Sequence, residues 1–144
     1  MIEQDTVKLL RECDSGIQMG VSSIDDVLKY VKSDRLEKLL VDCKGEHERL
    51  DEKLQEALRR FGDEGKDPNP VAKAMSWVKT GVMLAMHESD HTIADLMTDG
   101  CNMGIKALYK YLNQYPAANQ QVMDLCTDLI AIEEELQRDL RDYL

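Results

Sequence analysis

With 144 residues the chain is long enough to bury one core without disulfides, and a single domain over residues 1–144 is expected. Apolar residues make up 43% and charged residues 32%, with only 5% aromatic, so an all-α protein is expected and sheet is disfavoured. The 28 acidic residues against 18 basic ones leave a net charge of −10, which argues against nucleic acid and anionic membrane surfaces as partners.

The opening Met1-Ile2-Glu3-Gln4-Asp5 has neither a basic region nor an apolar run, so no signal peptide is expected and a cytoplasmic location is inferred. In residues 5–32, Leu10, Cys13, Ile17, Gly20 or Val21, Ile24, Val27 or Leu28 and Val31 recur at steps of three and four. This is one face of an amphipathic helix. Gly16 and Gly20 lie one turn apart on that side. A glycine weakens a helix interior by about 1 kcal/mol relative to alanine, so the pair predicts close approach of another helix. The chain turns at Ser33-Asp34, where Asp34 and Glu37 read as a capping box with Asp34 as N-cap. The second helix carries Leu36, Leu39/Leu40, Cys43, His47, Leu50, Leu54, Ala57/Leu58 and Phe61. So short a connection makes residues 5–62 an antiparallel hairpin.

Residues 62–70, GDEGKDPNP, form the clearest break, with two glycines and two prolines, and predict a surface loop. Residues 70–88 follow as a crossover whose sequence VAKAMSWVKTGVMLAM is the least polar in the chain. It is shorter than the about 20 apolar residues that a membrane span needs. A helix packed on the bundle is expected, with Trp77, Met83 and Met86 as the candidate interaction surface for a homodimer or another protein. Ser89 or Asp90 then caps a further helix, with Ile93, Leu96/Met97, Gly100, Met103/Gly104, Ala107/Leu108 and Tyr111 facing the core. Pro116 marks the next turn. The last helix carries Val122, Leu125/Cys126, Leu129, Ile132/Glu133, Leu136, Leu140 and Leu144, closing a second hairpin over residues 90–144.

The two hairpins overlay. Gly16, Met19 and Gly20 match Gly100, Met103 and Gly104. Leu36, Leu39, Cys43, Leu50, Leu54 and Leu58 match Val122, Leu125, Leu129, Leu136, Leu140 and Leu144. Chance explains the repeated Gly-x-x-Met-Gly poorly. A helix of about 17 residues travels roughly 25 Å, which with the preceding loop returns the chain along the bundle. The second and fourth helices, counting the crossover as the third, then run parallel.

Two helical hairpins joined by a crossover that bears Trp77 and then Lys79 resemble the ferritin-like superfamily. Within it, the chain is similar over nearly its whole length to small bacterial ferritin-like domains of unknown function. The resemblance implies a four-helix bundle with a di-iron carboxylate centre, one Glu from each of two helices and a Glu-x-x-His from each of the other two. The sequence departs from that pattern. Lys44 stands three residues before His47, and the last helix has no histidine, only Asp124, Asp128 and Glu133 to Glu135. The complete ligand set cannot be assembled.

Two weaker metal candidates remain. Glu88 and His91 form a Glu-x-x-His, with His87 and Asp95 nearby, at an expected helix junction where capping or solvated charge explains them more simply. Counting layers from the Ser33 turn puts Cys43, His47, Cys101 and Cys126 within about one turn of the same height, a candidate soft-metal set for zinc. Against it, Cys101 lies off the best core face, and buried cysteine is ordinary. The four cysteines lack a CxxC spacing and are expected as free thiols. No phosphate loop or nucleophile motif occurs, and the acidic last helix reads as a solvated face. The expected function is non-enzymatic, through self-association or protein binding, with no cofactor. The alternative is a metal-binding protein, using iron or zinc at a degenerate di-iron site or a Cys/His set. His47 discriminates them: convergent carboxylates or thiols favour a metal, whereas apolar neighbours and one backbone partner favour the first.

Overall fold

The structure, a computed structural model, describes residues 2–61 and 89–144. These form four α-helices and a terminal 3-10 turn, with no strand among the described residues: α1 Ile2–Leu28, α2 Asp34–Arg60, α3 Asp90–Gln114, α4 Gln120–Leu140 and the turn Arg141–Tyr143. They pack as a four-helix bundle. The 70–88 crossover, with Trp77, Met83 and Met86, and the residues His87 and Glu88 lie outside the described residues.

The helix ends follow local chemistry, with two differences from expectation. Helix α1 stops at Leu28 rather than Lys32, and Tyr30 N–H donates to the Val27 carbonyl to start the turn (2.9 Å). Helix α2 is capped by Ser33, not Asp34. The Ser33 hydroxyl accepts from Leu36 N–H at 3.3 Å, which leaves Asp34 and Glu37 as acidic residues in the first turn. Ser89 caps α3 by accepting from His91 N–H, and Asn119 caps α4 by accepting from Gln121 N–H.

Asp90 has a different role. Its carboxylate accepts Lys32 N–H (2.8 Å) and Ser33 N–H (2.9 Å), so the start of α3 sits on the α1–α2 turn. At the opposite end, Ala117 N–H donates to Asp5 and Asn119 N–H to Thr6, which places the α3–α4 turn beside the start of α1. Phe61, at the end of α2, packs against the cluster that contains Leu9 and Val122. Phe61 and Ser89 therefore stand at opposite ends of the bundle, with α2 parallel to α3 and α1 parallel to α4.

The core is in two parts. One unites Leu9, Leu10 and Ile17 of α1, Leu54 and Leu58 of α2, and Val122, Cys126 and Leu129 of α4. The other unites Ile24 and Val27, Leu36 and Leu40, Ile93 and Ala94, and Leu136 and Leu140. Each fully buried Leu or Ile stabilises the fold by about 1.5–3 kcal/mol. His47, fully buried, belongs to neither cluster and lies in a polar layer between them.

Candidate functional site

His47 projects from the α2 stripe into the bundle, where one face of its ring meets Gly20 of α1. A Cβ at position 20 would lie 2.5 Å from His47 Nε2, closer than atoms can approach, so only glycine admits the imidazole there. Both ring nitrogens are engaged. Nδ1 donates to the Cys43 carbonyl one turn back (2.8 Å), and Nε2 donates to Glu133 Oε1 of α4 (3.0 Å). Glu133 in turn lies against Gly104 of α3, whose added Cβ would sit 3.8 Å from Oε2. The second glycine of each Gly-x-x-Met-Gly thus backs one member of the pair.

The electrostatics follow from burial and partners. Burial alone pulls the His47 pKa down. Its hydrogen bonds to Cys43 and Glu133 and the Glu133 charge outweigh that, and the imidazole is held at about 10. Burial raises the Cys43 thiol itself, so at neutral pH the charge that keeps the proton on His47 belongs to Glu133. The layer is therefore a buried imidazolium–carboxylate pair. The Cys43 sulfur lies 3.7 Å from Nδ1. On the other side the Cys101 thiol bonds to Glu133, and its pKa is raised by burial and by the Glu133 charge.

Of the predicted soft-metal set, three members converge on this layer: His47, Cys43 and Cys101. Cys101 is buried, contrary to its placement off the core face, because that side of α3 faces Glu133. Cys126 lies elsewhere. Its thiol partners Cys13 and approaches the Leu108 carbonyl at 3.8 Å, and the mutual hydrogen bond, then burial, push Cys13 well above the usual thiol range. At the other candidate, His91 is exposed, its Nδ1 donating to the Tyr143 carbonyl at 3.3 Å. Its predicted partner Glu88 is outside the described residues. Among the described residues no group of three or more His, Cys, Asp and Glu side chains is disposed to hold a metal ion.

These residues do not fit a di-iron centre. One carboxylate and one imidazole converge where two Glu and two Glu-x-x-His sets are needed, and the facing helices offer Gly20 and Gly104. A ligating imidazole must be neutral with a free nitrogen, whereas His47 is protonated with both in use.

The glycines of α1 do admit neighbouring helices closely, since an added Cβ at Gly16 would lie 3.3 Å from Leu129 of α4 and 3.9 Å from Leu108 of α3, but with Gly100 and Gly104 they also leave space between α1 and α3. That space is a cavity of about 270 Å³. Gly16, Gly20, Gly100 and Gly104 form part of its wall, Met19, Met97 and Met103 much of the rest, and His47 with Glu133 its polar floor. Glu12 and Tyr111 stand at the end nearer the α1 N-terminus, and Glu12, by its charge and a hydrogen bond, contributes after burial to the raised pKa of Tyr111. The His47 side chain is 1% exposed and that of Glu133 12%, so the carboxylate is the more accessible member of the floor. None of the cavity was foreseen from sequence. The repeated Gly-x-x-Met-Gly was its signal.

No protein-family model matches the chain, and neither a curated protein nor a solved structure matches it.

Proposed function

We propose that the chain is a non-enzymatic binding protein of ferritin-like layout whose ligand enters the cleft between α1 and α3. The observation that carries this reading is the substitution of parts in the central layer. Where a ferritin-like protein would hold metal, this one has a closed His47–Glu133 pair, and glycines at the facing positions of α1 and α3 leave a cavity. Two antiparallel hairpins with α2 parallel to α3 support the layout. The cleft is apolar on its walls with a few polar groups, the usual composition of a small-molecule site.

The metal-binding alternative draws support from the approach of Cys43 and Cys101 to the pair. Both thiols are raised by burial, however, and the metal-binding forms are thiolate and neutral imidazole. Loading a metal would require removing three protons from a buried layer.

Two measurements on one preparation test the reading. Mass spectrometry of untagged protein, grown with iron and zinc and purified without chelators, should find no stoichiometric metal. An apolar fluorescent dye should bind the wild type and lose its signal in Ala107→Leu, which fills the cleft. Stoichiometric metal that is lost in His47→Gln would overturn the proposal, as would dye binding indifferent to Ala107→Leu.

A further inference from the structure

The shape and charge of the cleft narrow what it can hold. Its α1 wall runs from Glu12 to Val27, about 22 Å at 1.5 Å per residue. Its volume of about 270 Å³ is below the roughly 300–1,000 Å³ of common ligand pockets. A space this long and this small suits one thin chain. Between Glu12 and Leu96 the wall is mostly glycine, methionine and aliphatic side chains, with Ser15, Ser23, Cys101 and the His47–Glu133 pair let into it.

The charges are unequal. Glu133 is matched by the His47 imidazolium, and no lysine or arginine lines the cleft among the described residues. The Glu12 carboxylate is therefore the uncompensated charge of the lining. It stands half-buried at one end, within hydrogen-bond reach of Tyr111. The Tyr111 hydroxyl hydrogen-bonds to this carboxylate, which still has lone pairs to receive an ammonium group by charge-assisted hydrogen bond.

We infer that the cleft binds an unbranched alkyl amine, its ammonium held by Glu12 beside Tyr111 and its tail laid over Gly16, Gly20 and Gly104 towards Met97. The inference rests on the cleft being the binding site and adds the ligand class. The tail displaces water from apolar wall, and the single positive charge neutralises the single unmatched negative one. A fatty acid of the same length would bring its carboxylate against Glu12, and a fatty alcohol would forgo the charge.

Calorimetric titration of the full chain with n-decylamine, n-decanol and decanoate, each below its aggregation concentration, tests this. Amide NMR of the titration locates the binding through the glycine signals. The amine should bind about tenfold or more tighter than the alcohol, the difference expected of one charge-assisted hydrogen bond, and decanoate more weakly than either. Glu12→Gln should remove the amine's advantage and leave decanol unchanged, and Ala107→Leu should abolish binding of all three. Equal binding of amine and alcohol, or an advantage that survives Glu12→Gln, would overturn the ligand class while leaving the cleft as the site. Amine binding that survives Ala107→Leu without shifting Gly16, Gly20 or Gly104 would mark attachment to the acidic surface and overturn the inference. Failure of all three probes to bind would overturn both the inference and the cleft itself.

Discussion

At position 20 a single methyl group would collide with the imidazole of His47, 2.5 Å from Nε2. Gly20→Ala should therefore destabilise the protein by about 1–3 kcal/mol, the usual cost of overpacking, despite the better helix propensity of alanine. Gly45 is the control: an added Cβ there meets only the flexible end of Arg49 at 3.6 Å, so Gly45→Ala should stabilise by about 0.5–1 kcal/mol. Urea melts of the two variants measure both, and equal effects would refute the account of position 20. His47 itself carries a pH prediction. Its pKa is about 10 in the fold, against an ordinary 6.5. The stability this contributes is fully present below the unfolded pKa and is lost as pH rises through the folded one. The stability difference between wild type and His47→Gln should therefore shrink from neutral pH to about pH 10. A difference that is flat over that window would mean that His47 is not an imidazolium in the fold.

At the scale of the elements, each end of the bundle is latched by side chains from the opposite hairpin. Asp90 on the first turn of α3 holds the α1–α2 turn through Lys32 N–H and Ser33 N–H, and Asp5 and Thr6 of α1 hold the α3–α4 turn. Hydrogen bonds to a charged group contribute about 1.5–3 kcal/mol each when sheltered and less when exposed, as Lys32 is. Asp90→Asn keeps one acceptor of the two and should cost about 1 kcal/mol, and Asp90→Ala more. Hydrogen exchange at the Lys32 and Ser33 amides should quicken in the same order. Unchanged exchange would show that the latch does not hold. Asp90 was legible only as a cap, because the chemistry that makes Asp a good cap also lets it hold a turn far away in sequence. Ser33 and Asp34 are alike in the same way, and the choice between them as N-cap went to the residue whose hydroxyl could reach Leu36 N–H.

Across the whole molecule the excess of acidic residues, net −10, sets charge repulsion against a core of two apolar clusters. Salt shortens the Debye length from about 30 Å at 0.01 M to about 8 Å at 0.15 M, so Tm should rise with sodium chloride over that range. A falling Tm would show that attractive surface pairs such as Lys44–Asp25 (2.7 Å) and Lys38–Asp42 (2.9 Å) outweigh the repulsion. No described helix is long and apolar enough to cross a membrane.

The four described helices and most of the core they bury were legible in the sequence, because Leu10, Ile17, Leu40, Leu54, Val122 and Leu140 repeat at the helical period, which needs no knowledge of neighbours. The doubled Gly-x-x-Met-Gly was legible as well, but its meaning was not. Glycine reports only that something comes close or that space is left, and here Gly20 admits an imidazole while the glycines of both copies border a cavity. Glu133 lay in the apolar stripe of the last helix and was still read with its acidic neighbours as solvated. The overlay that sets Cys43 on Leu129 and Leu50 on Leu136 also sets His47 on Glu133. That these two symmetry-related positions form a buried ion pair was decided by the tertiary structure alone, since a carboxylate is stable inside a bundle only where its neighbours supply hydrogen bonds or opposite charge, and here another helix supplies both.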